Sequence, residues 1–215
     1  MVLYTRSSMK LIARSAIIST RAMFRSNMTV WAKSKCMFRV LPTDLDLNFH
    51  LNNGRYLQIM DAGRFDWLIR TGVLQSAVMQ RQRVVVCGAM LKFIRELKAF
   101  EKFSVTCQLK GWDKGYFYFE HRLERCDGEL AALAVVRGVL LQRGTPVSPG
   151  NIASHHGYPR SLKLPAYIQA WKDADSMMRR FSRESVEGLP DDEIDDLLVD
   201  HYMNSDERTY SSMAA

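Results

Sequence analysis

The stretch Leu41-Pro-Thr-Asp-Leu-Asp-Leu-Asn-Phe-His-Leu-Asn-Asn-Gly-Arg-Tyr56 crowds Asp44, Asp46, Asn48, His50, Asn52 and Asn53 into ten residues just ahead of a helix-forming run. Capping and turn formation account for part of this: Asn52 or Asn53 can cap the helix, and Asp and Asn favour turns. They do not account for a carboxylate, an amide and an imidazole at alternate positions 46, 48 and 50. In an extended segment these three side chains point the same way. Converging beside a helix N-terminus, they form a set able to carry out hydrolysis.

Downstream, Gly54–Arg70 contains no proline and one internal glycine, and Tyr56, Ile59, Met60, Gly63 and Trp67 recur at spacings of three or four. That periodicity predicts a helix of nearly five turns, with Gly72 as its stop. Upstream, Met37–Val40 reads as a short strand. Beyond the helix, Arg83–Phe93 is rich in valine, and Phe103–Leu109 alternates apolar and polar residues, the pattern of a strand with one buried face. Gly111–Gly115 reads as a turn and Tyr116–Leu123 as an aromatic strand. Asp127-Gly128 is a hairpin signal, followed by a long apolar strand over Leu130–Gln142. The order predicts an α+β fold in which an antiparallel sheet wraps one long central helix and buries its apolar face on it.

Four segments follow: a basic extension at 1–35, the central domain at 36–145, a helical extension at 146–183 and an acidic tail at 184–215. Residues 1–43 hold eight Lys/Arg and no acid, whereas residues 184–215 hold ten acids and one base. The extension is partly amphipathic, with Lys10, Arg14, Arg21 and Arg25 on one helical face. It reads as a packing helix, a membrane-surface helix or an organelle transit peptide. Pro146, Pro149 and Gly150 mark the next boundary, and Pro165–Phe181 reads as a helix with a basic end. Residues 188–202 make at best a short acidic helix. The net charge of +7 favours anionic partners, but no nucleic-acid-binding motif is present. Phosphate-bearing small molecules and an acidic carrier protein fit the charge equally. Cys36, Cys87, Cys107 and Cys126 show no metal spacing and read as reduced packing residues. His121, His155, His156 and His201 read as surface or packing residues. No run approaches the ~20 apolar residues of a membrane span.

Asp44-Leu-Asp-Leu-Asn-Phe-His-Leu-Asn-Asn53, with Arg55-Tyr56 after it, resembles the signature of hot-dog-fold thioesterases of the 4-hydroxybenzoyl-CoA thioesterase type. Its spacing is also similar to that of plant acyl-carrier-protein thioesterases. Arg39–Asp46, Asn52–Leu57, Arg70–Leu74 and Leu109–Asp113 look like the group of thioesterase superfamily member 6 and its bacterial relatives. The likeness runs from about Arg39 to Arg143, with weaker similarity to about Trp171.

The resemblance implies a hot-dog fold and hydrolysis of acyl-CoA or acyl-carrier thioesters, with no cofactor and no metal. Asp46 matches the family's catalytic acid, as general base or as nucleophile; Asn48 would orient water or the carboxylate, and His50 the thioester oxygen or Asp46. Backbone N–H groups at Asn53 and Gly54 would receive the oxyanion. Asp61 is a possible additional acid on the helix, with Asp66 behind it. Separately from the resemblance, Arg81, Arg83, Lys92, Arg95, Lys98 and Lys102 form a basic stretch that reads as a solvated strand edge and loop or as the contact for the phosphates of coenzyme A. The family also implies a homodimer, or a dimer of dimers, with sites at the seam. The expected location is cytoplasmic, with membrane-associated and organellar alternatives through residues 1–35. The competing functional class is a non-catalytic acyl-binding or scaffold protein.

Overall fold

The structure is a computed structural model that describes residues 17–155, 157–158 and 160–186; side chains at 155 and 179–186 are not described. Residues 1–16 of the basic extension and most of the acidic tail therefore lie outside the described residues. Strand β1 (Ser34–Arg39) leads through a 3-10 turn (Pro42–Asp44) into helix α1 (Asn53–Arg70) and a short helix α2 (Val73–Met79). Strands β2 (Gln82–Phe93), β3 (Lys102–Trp112), β4 (Phe117–Arg125) and β5 (Leu130–Gln142) follow. A short β6 (Thr145–Val147), helix α3 (Pro149–His155) and helix α4 (Ala166–Val186) complete the order.

The sheet runs β1-β3-β4-β5-β2, antiparallel throughout, with β6 folded back on β5. It wraps α1 as the periodicity predicts, giving the hot-dog fold. So much of α1 is enclosed that Ile59, Met60, Gly63, Arg64, Asp66 and Trp67 are all buried. Around its first half pack Phe38, Val40, Leu51, Phe103, Val105 and Leu123; around its second half pack Leu109, Trp112, Phe117, Phe119 and Leu140. Gly63 sets the approach of helix to sheet, since a Cβ there would lie 2.9 Å from Val105 Cγ1.

The strands extend beyond several expected limits. β3 runs on to Trp112, because a bulge between Leu109 and Gly111 lets pairing continue, and the turn shifts to the residues after it. Gly111 has φ 146°, and a Cβ there would meet Ser161 Oγ at 2.7 Å, so the C-terminal extension docks directly on the bulge. Ser161 Oγ accepts the Trp112 N–H at 2.7 Å. Gly72 does end the regular helix, with φ 77°, but α2 restarts at once, which the sequence reading lacked. β6 and α3 were also missed: both lie where Pro146, Pro149 and Gly150 suggested only a boundary.

Helix α4 covers the outer face of the sheet. Ile168 and Trp171 pack on Tyr118 and Val135. Arg137, buried on β5, binds Asp175 at 2.6 Å and lies 4.5 Å from the Tyr116 ring. Lys172 binds Asp113 at 2.7 Å. The N-terminal segment is tied to the far end of α1. Asp66, buried, binds the Ser34 hydroxyl, Arg25 at 3.0 Å and Arg70 at 3.5 Å. Trp31 stacks on Trp112 and meets Tyr158 edge-on, joining both extensions. No helix among the described residues is long and apolar enough to cross a membrane.

Candidate active site

The segment from Asp46 to His50 is not extended. The Asp46 N–H donates to the His50 carbonyl at 3.0 Å, the Phe49 N–H donates to the Asp46 carbonyl at 3.1 Å, and Leu45 bridges Leu51. Phe49 takes φ 60°, a left-handed conformation that bulky residues adopt only at a cost. The expectation that alternation in a strand aligns 46, 48 and 50 is therefore corrected. A closed turn brings Asp46 and His50 together instead, because its ends hydrogen-bond each other.

Within the turn, His50 Nδ1 lies 3.4 Å from Asp46 Oδ1. The same oxygen accepts the Asn48 N–H at 2.9 Å. Asn48 thus reaches the carboxylate through its backbone, while the residue itself is exposed. The other face of the imidazole looks to Glu96, with Nε2 3.8 Å from Oε2. The His50–Lys98 bridge and the Leu51 N–H to Leu97 carbonyl bond (2.8 Å) hold the turn against the 94–101 segment. Asp46 and His50 are partly accessible, at 22% and 31% of their side-chain surface, so solvent and a ligand can reach them.

Tyr56 lies buried on the first turn of α1. Burial, and then the charges of Glu101, Asp46 and Glu96, push its phenol up to about 12, so it is neutral at ordinary pH. Its ring meets Phe93 edge-on, with centroids 4.9 Å apart. Sequence reading missed Tyr56 and Glu96 as neighbours of the site. Tyr56 was visible only as a core position and as the end of the quoted signature, and Glu96 is brought in by the loop between β2 and β3 rather than by any local motif.

The helix start departs from expectation. Asn52 is the cap, and its Oδ1 takes the Gly54 N–H at 2.9 Å. That donor is committed to the cap, so Gly54 is corrected as an oxyanion donor. The Asn53 N–H meets no acceptor among the described residues, and it stands where the helix favours negative charge. Asp61 sits two turns on, roughly 12 Å along the axis from Asn53. It is half-exposed and paired with the buried Arg64, so it is not part of the Asp46 cluster within one chain.

The basic residues also separate. Arg83 and Lys92 stand at opposite ends of β2, nine residues and roughly 30 Å apart. Arg81 lies beyond the first end; Arg95, 3.8 Å from Glu129, and Lys98, 3.4 Å from Glu96, lie beyond the second. One chain therefore does not gather them into one phosphate site. His121 is fully buried between α1 and the sheet, with no hydrogen-bond partner for either ring nitrogen. Burial, and then the charge of Arg64, hold its pKa well below the usual value, so it is a neutral core residue. The side chains of His155, His156 and His201 lie outside the described residues. The four cysteines are free, and no cluster of three or more metal-ligating side chains occurs among the described residues. A cavity of ≈ 40 Å³ lined by Trp67, Leu109, Phe117, Ile152 and others lies at the far end of α1.

Residues 40–171 match the family model of the thioesterase-like superfamily. The chain is similar to Protein THEM6 of Xenopus laevis, 39% identical over 39% of this chain and 40% of that one. It is similar also to Protein THEM6 of Danio rerio, 31% identical over 62% of this chain and 66% of that one. The matches thus span less than two thirds of either relative's length. Among solved structures, Staphylococcus aureus SAV2348, determined in complex with CoA, superposes with a TM-score of 0.52 at 17% identity, over 66% of this chain and 96% of that one. That likeness concerns the fold. The family match takes in the Asp46–His50 turn, α1 and all five long strands except β1, and on that ground the chain belongs to the thioesterase-like superfamily.

Proposed function

We propose that this protein hydrolyses acyl thioesters, of coenzyme A or of an acyl carrier, at the turn formed by Asp46, Asn48 and His50. The observation that carries the reading is the Asp46–His50 contact of 3.4 Å at the head of the central helix, in a turn held by a left-handed Phe49. Asp46 takes a proton from water as the hydroxyl oxygen adds to the thioester carbonyl; the C–S bond then breaks and the thiolate leaves. A thiolate needs little protonation, so no dedicated acid is required. The Asn48 N–H and His50 fix Asp46, and the Asn53 N–H receives the oxyanion. A positioned base contributes about 10²–10⁴-fold.

The same reading takes in a homodimer formed along β2. β2 pairs only with β5 among the described strands, which leaves one edge unpaired, and Val86 and Phe93 on it are exposed. Two-fold antiparallel pairing about Cys87–Gly88 would set Arg83 of one copy opposite Lys92 of the other. The basic residues that one chain separates would then meet near each site, where coenzyme A phosphates need them. Exposed Met23 and Phe24 in the basic N-terminal segment support contact with an anionic membrane surface.

The test is thiol release from a panel of short, long and aromatic acyl-CoAs. Asp46→Ala should lower turnover at least about 10²-fold while the circular dichroism spectrum is unchanged. Wild-type rates in that variant would remove Asp46 from the chemistry. Silence of the native protein across the panel would leave the acyl-binding scaffold as the better account.

A further inference from the structure

An open groove of ≈ 420 Å³ lies between the helical residues 17–23 and β1, at the edge of the sheet opposite β2. Local periodicity builds its walls. Ile18 packs on the core and Ala22, one turn on, is buried, so that face anchors the helical segment. Ile17 and Arg21, also one turn apart, line the groove. On β1 inward and outward residues alternate, and Met37 stands outward, 60% exposed; Ile17 is 52% exposed. Leu41 and the edge of the core residue Phe38 complete an apolar wall. Contiguous apolar surface left open in this way marks an interaction site. No acid lines the groove, whereas Arg21 and Lys102 do. Both are exposed, and neither makes an ion pair among the described residues. Arg39, on the same wall, is already engaged, its contacts including the Phe100 carbonyl at 3.2 Å.

We infer that the groove binds a free fatty acid, with its carboxylate at Arg21 and Lys102 and its chain along Ile17, Met37 and Leu41. The volume falls in the range of small-molecule sites, about 300–1,000 Å³. One end of the ligand must be anionic, because the two cations of the groove share a sign. The rest must be aliphatic, because the wall between them offers Ile, Leu and Met side chains. The apolar wall also excludes part of the water around the carboxylate, which strengthens its attraction to both cations. Residues 1–16 of this chain are poor competitors for the place: they carry Arg6, Lys10 and Arg14 and no acid, so Arg21 and Lys102 repel them. The groove stands apart from the catalytic turn, since none of its lining residues lies within Asp46–His50. A fatty acid is also what the proposed hydrolysis releases, and the choice of ligand rests on that reading to this extent; the binding itself does not depend on the chemistry at Asp46.

Calorimetric titration of the full chain with dodecanoate, below its micelle concentration, tests the site. Dodecanoate should bind saturably and at least about tenfold more tightly than octanoate, since each CH₂ buried on the wall is worth a factor of about four. Arg21→Gln with Lys102→Gln should weaken it at least about fivefold. Met37→Asp, at an exposed position that the fold tolerates, should weaken it further by setting a like charge beside the chain. Arg21→Gln alone should give a smaller loss in the same direction, which guards against misfolding of the double variant. A diazirine-bearing dodecanoate should label residues within 17–21 and 37–41, read by peptide mass spectrometry. No saturable binding, binding unchanged in both Met37→Asp and the double variant, or label confined to the Asp46–His50 turn would overturn the inference. So would co-sedimentation with phosphatidylserine vesicles that Met37→Asp abolishes while dodecanoate fails to bind, which would make the groove a bilayer seat. Saturable binding in the groove by a chain that releases no thiol from any acyl-CoA would remove the proposed hydrolysis and leave the fatty-acid site standing.

Discussion

Asp46 can act in two ways, and one experiment separates them. As a general base, it leaves solvent oxygen in the product acid alone. As a nucleophile, it forms an anhydride whose hydrolysis places solvent oxygen in its own side chain. Single turnover in H₂¹⁸O followed by peptide mass analysis should show no label at Asp46, because the Asn48 N–H and His50 already occupy Oδ1 and hold the carboxylate back as an acceptor. Label at Asp46 would assign the covalent route. At the same scale, the segment from Asp44 to Asn53 was legible as a candidate site from residue types alone. The route by which it converges was not, since alternation suggested a strand and a left-handed Phe49 made a turn.

Among the elements, α1 and α4 are held by contrasting means. α1 lies on the sheet through close packing at Gly63. Gly63→Ala gains roughly 1 kcal/mol of helix propensity, but its Cβ must displace the stiff, buried Val105. Overpacking of this kind costs about 1–3 kcal/mol. The net expectation is a Tm lowered by roughly 2–4 °C, restored when Val105→Ala is added. An unchanged or higher Tm would mean that the helix stands off the sheet. α4 is held by ions. Burial alone would raise the Asp113 carboxyl, but Lys172, the Tyr118 hydroxyl and the N–H groups of Tyr116 and Gly115 outweigh it, and its pKa lies below the ordinary value. Stability from a depressed carboxyl is present above the unfolded-state value and is lost as pH falls through the folded-state one. Asp113→Asn should therefore lower Tm at pH 7, and the gap from wild type should close as pH is taken below about 4. A gap independent of pH would show that the hydrogen bonds, not the charge, hold α4.

For the whole molecule, the open edge of β2 predicts assembly. Light scattering at micromolar concentration should give about twice the 24.7 kDa chain mass. Doubling to a tetramer through the outer face of the sheet is disfavoured, because α4 already covers Tyr118 and Val135 there. If Arg83 and Lys92 meet across a two-fold axis, reversing either charge should raise KM for acyl-CoA in a salt-sensitive way. Mixing a chain changed at Asp46 with one charge-reversed at Arg83 should give more activity at low acyl-CoA than the two chains assayed apart. A monodisperse, fully active monomer would refute both the dimer and the shared phosphate site.

The sequence by itself determined the long helix, the order of the main strands and the polar cluster ahead of the helix. Each is written in short-range terms: a period of three to four residues, a period of two, and a run of Asp, Asn and His with few conformations open to it. Only the tertiary structure decided which residues share a site. Glu96 comes beside the Asp46–His50 turn because the 94–101 segment crosses there, a contact between residues about fifty apart in sequence. Arg83 and Lys92 part because a strand is stiff, however close its residues lie in the chain. The Gly54 N–H is lost to Asn52 because a helix start must satisfy its own orphan donors before it can serve a ligand. Helix α2, β6 and α3 escaped the reading for a related reason. They are too short for periodicity to register, and they are held by the surfaces they cover rather than by their own sequence.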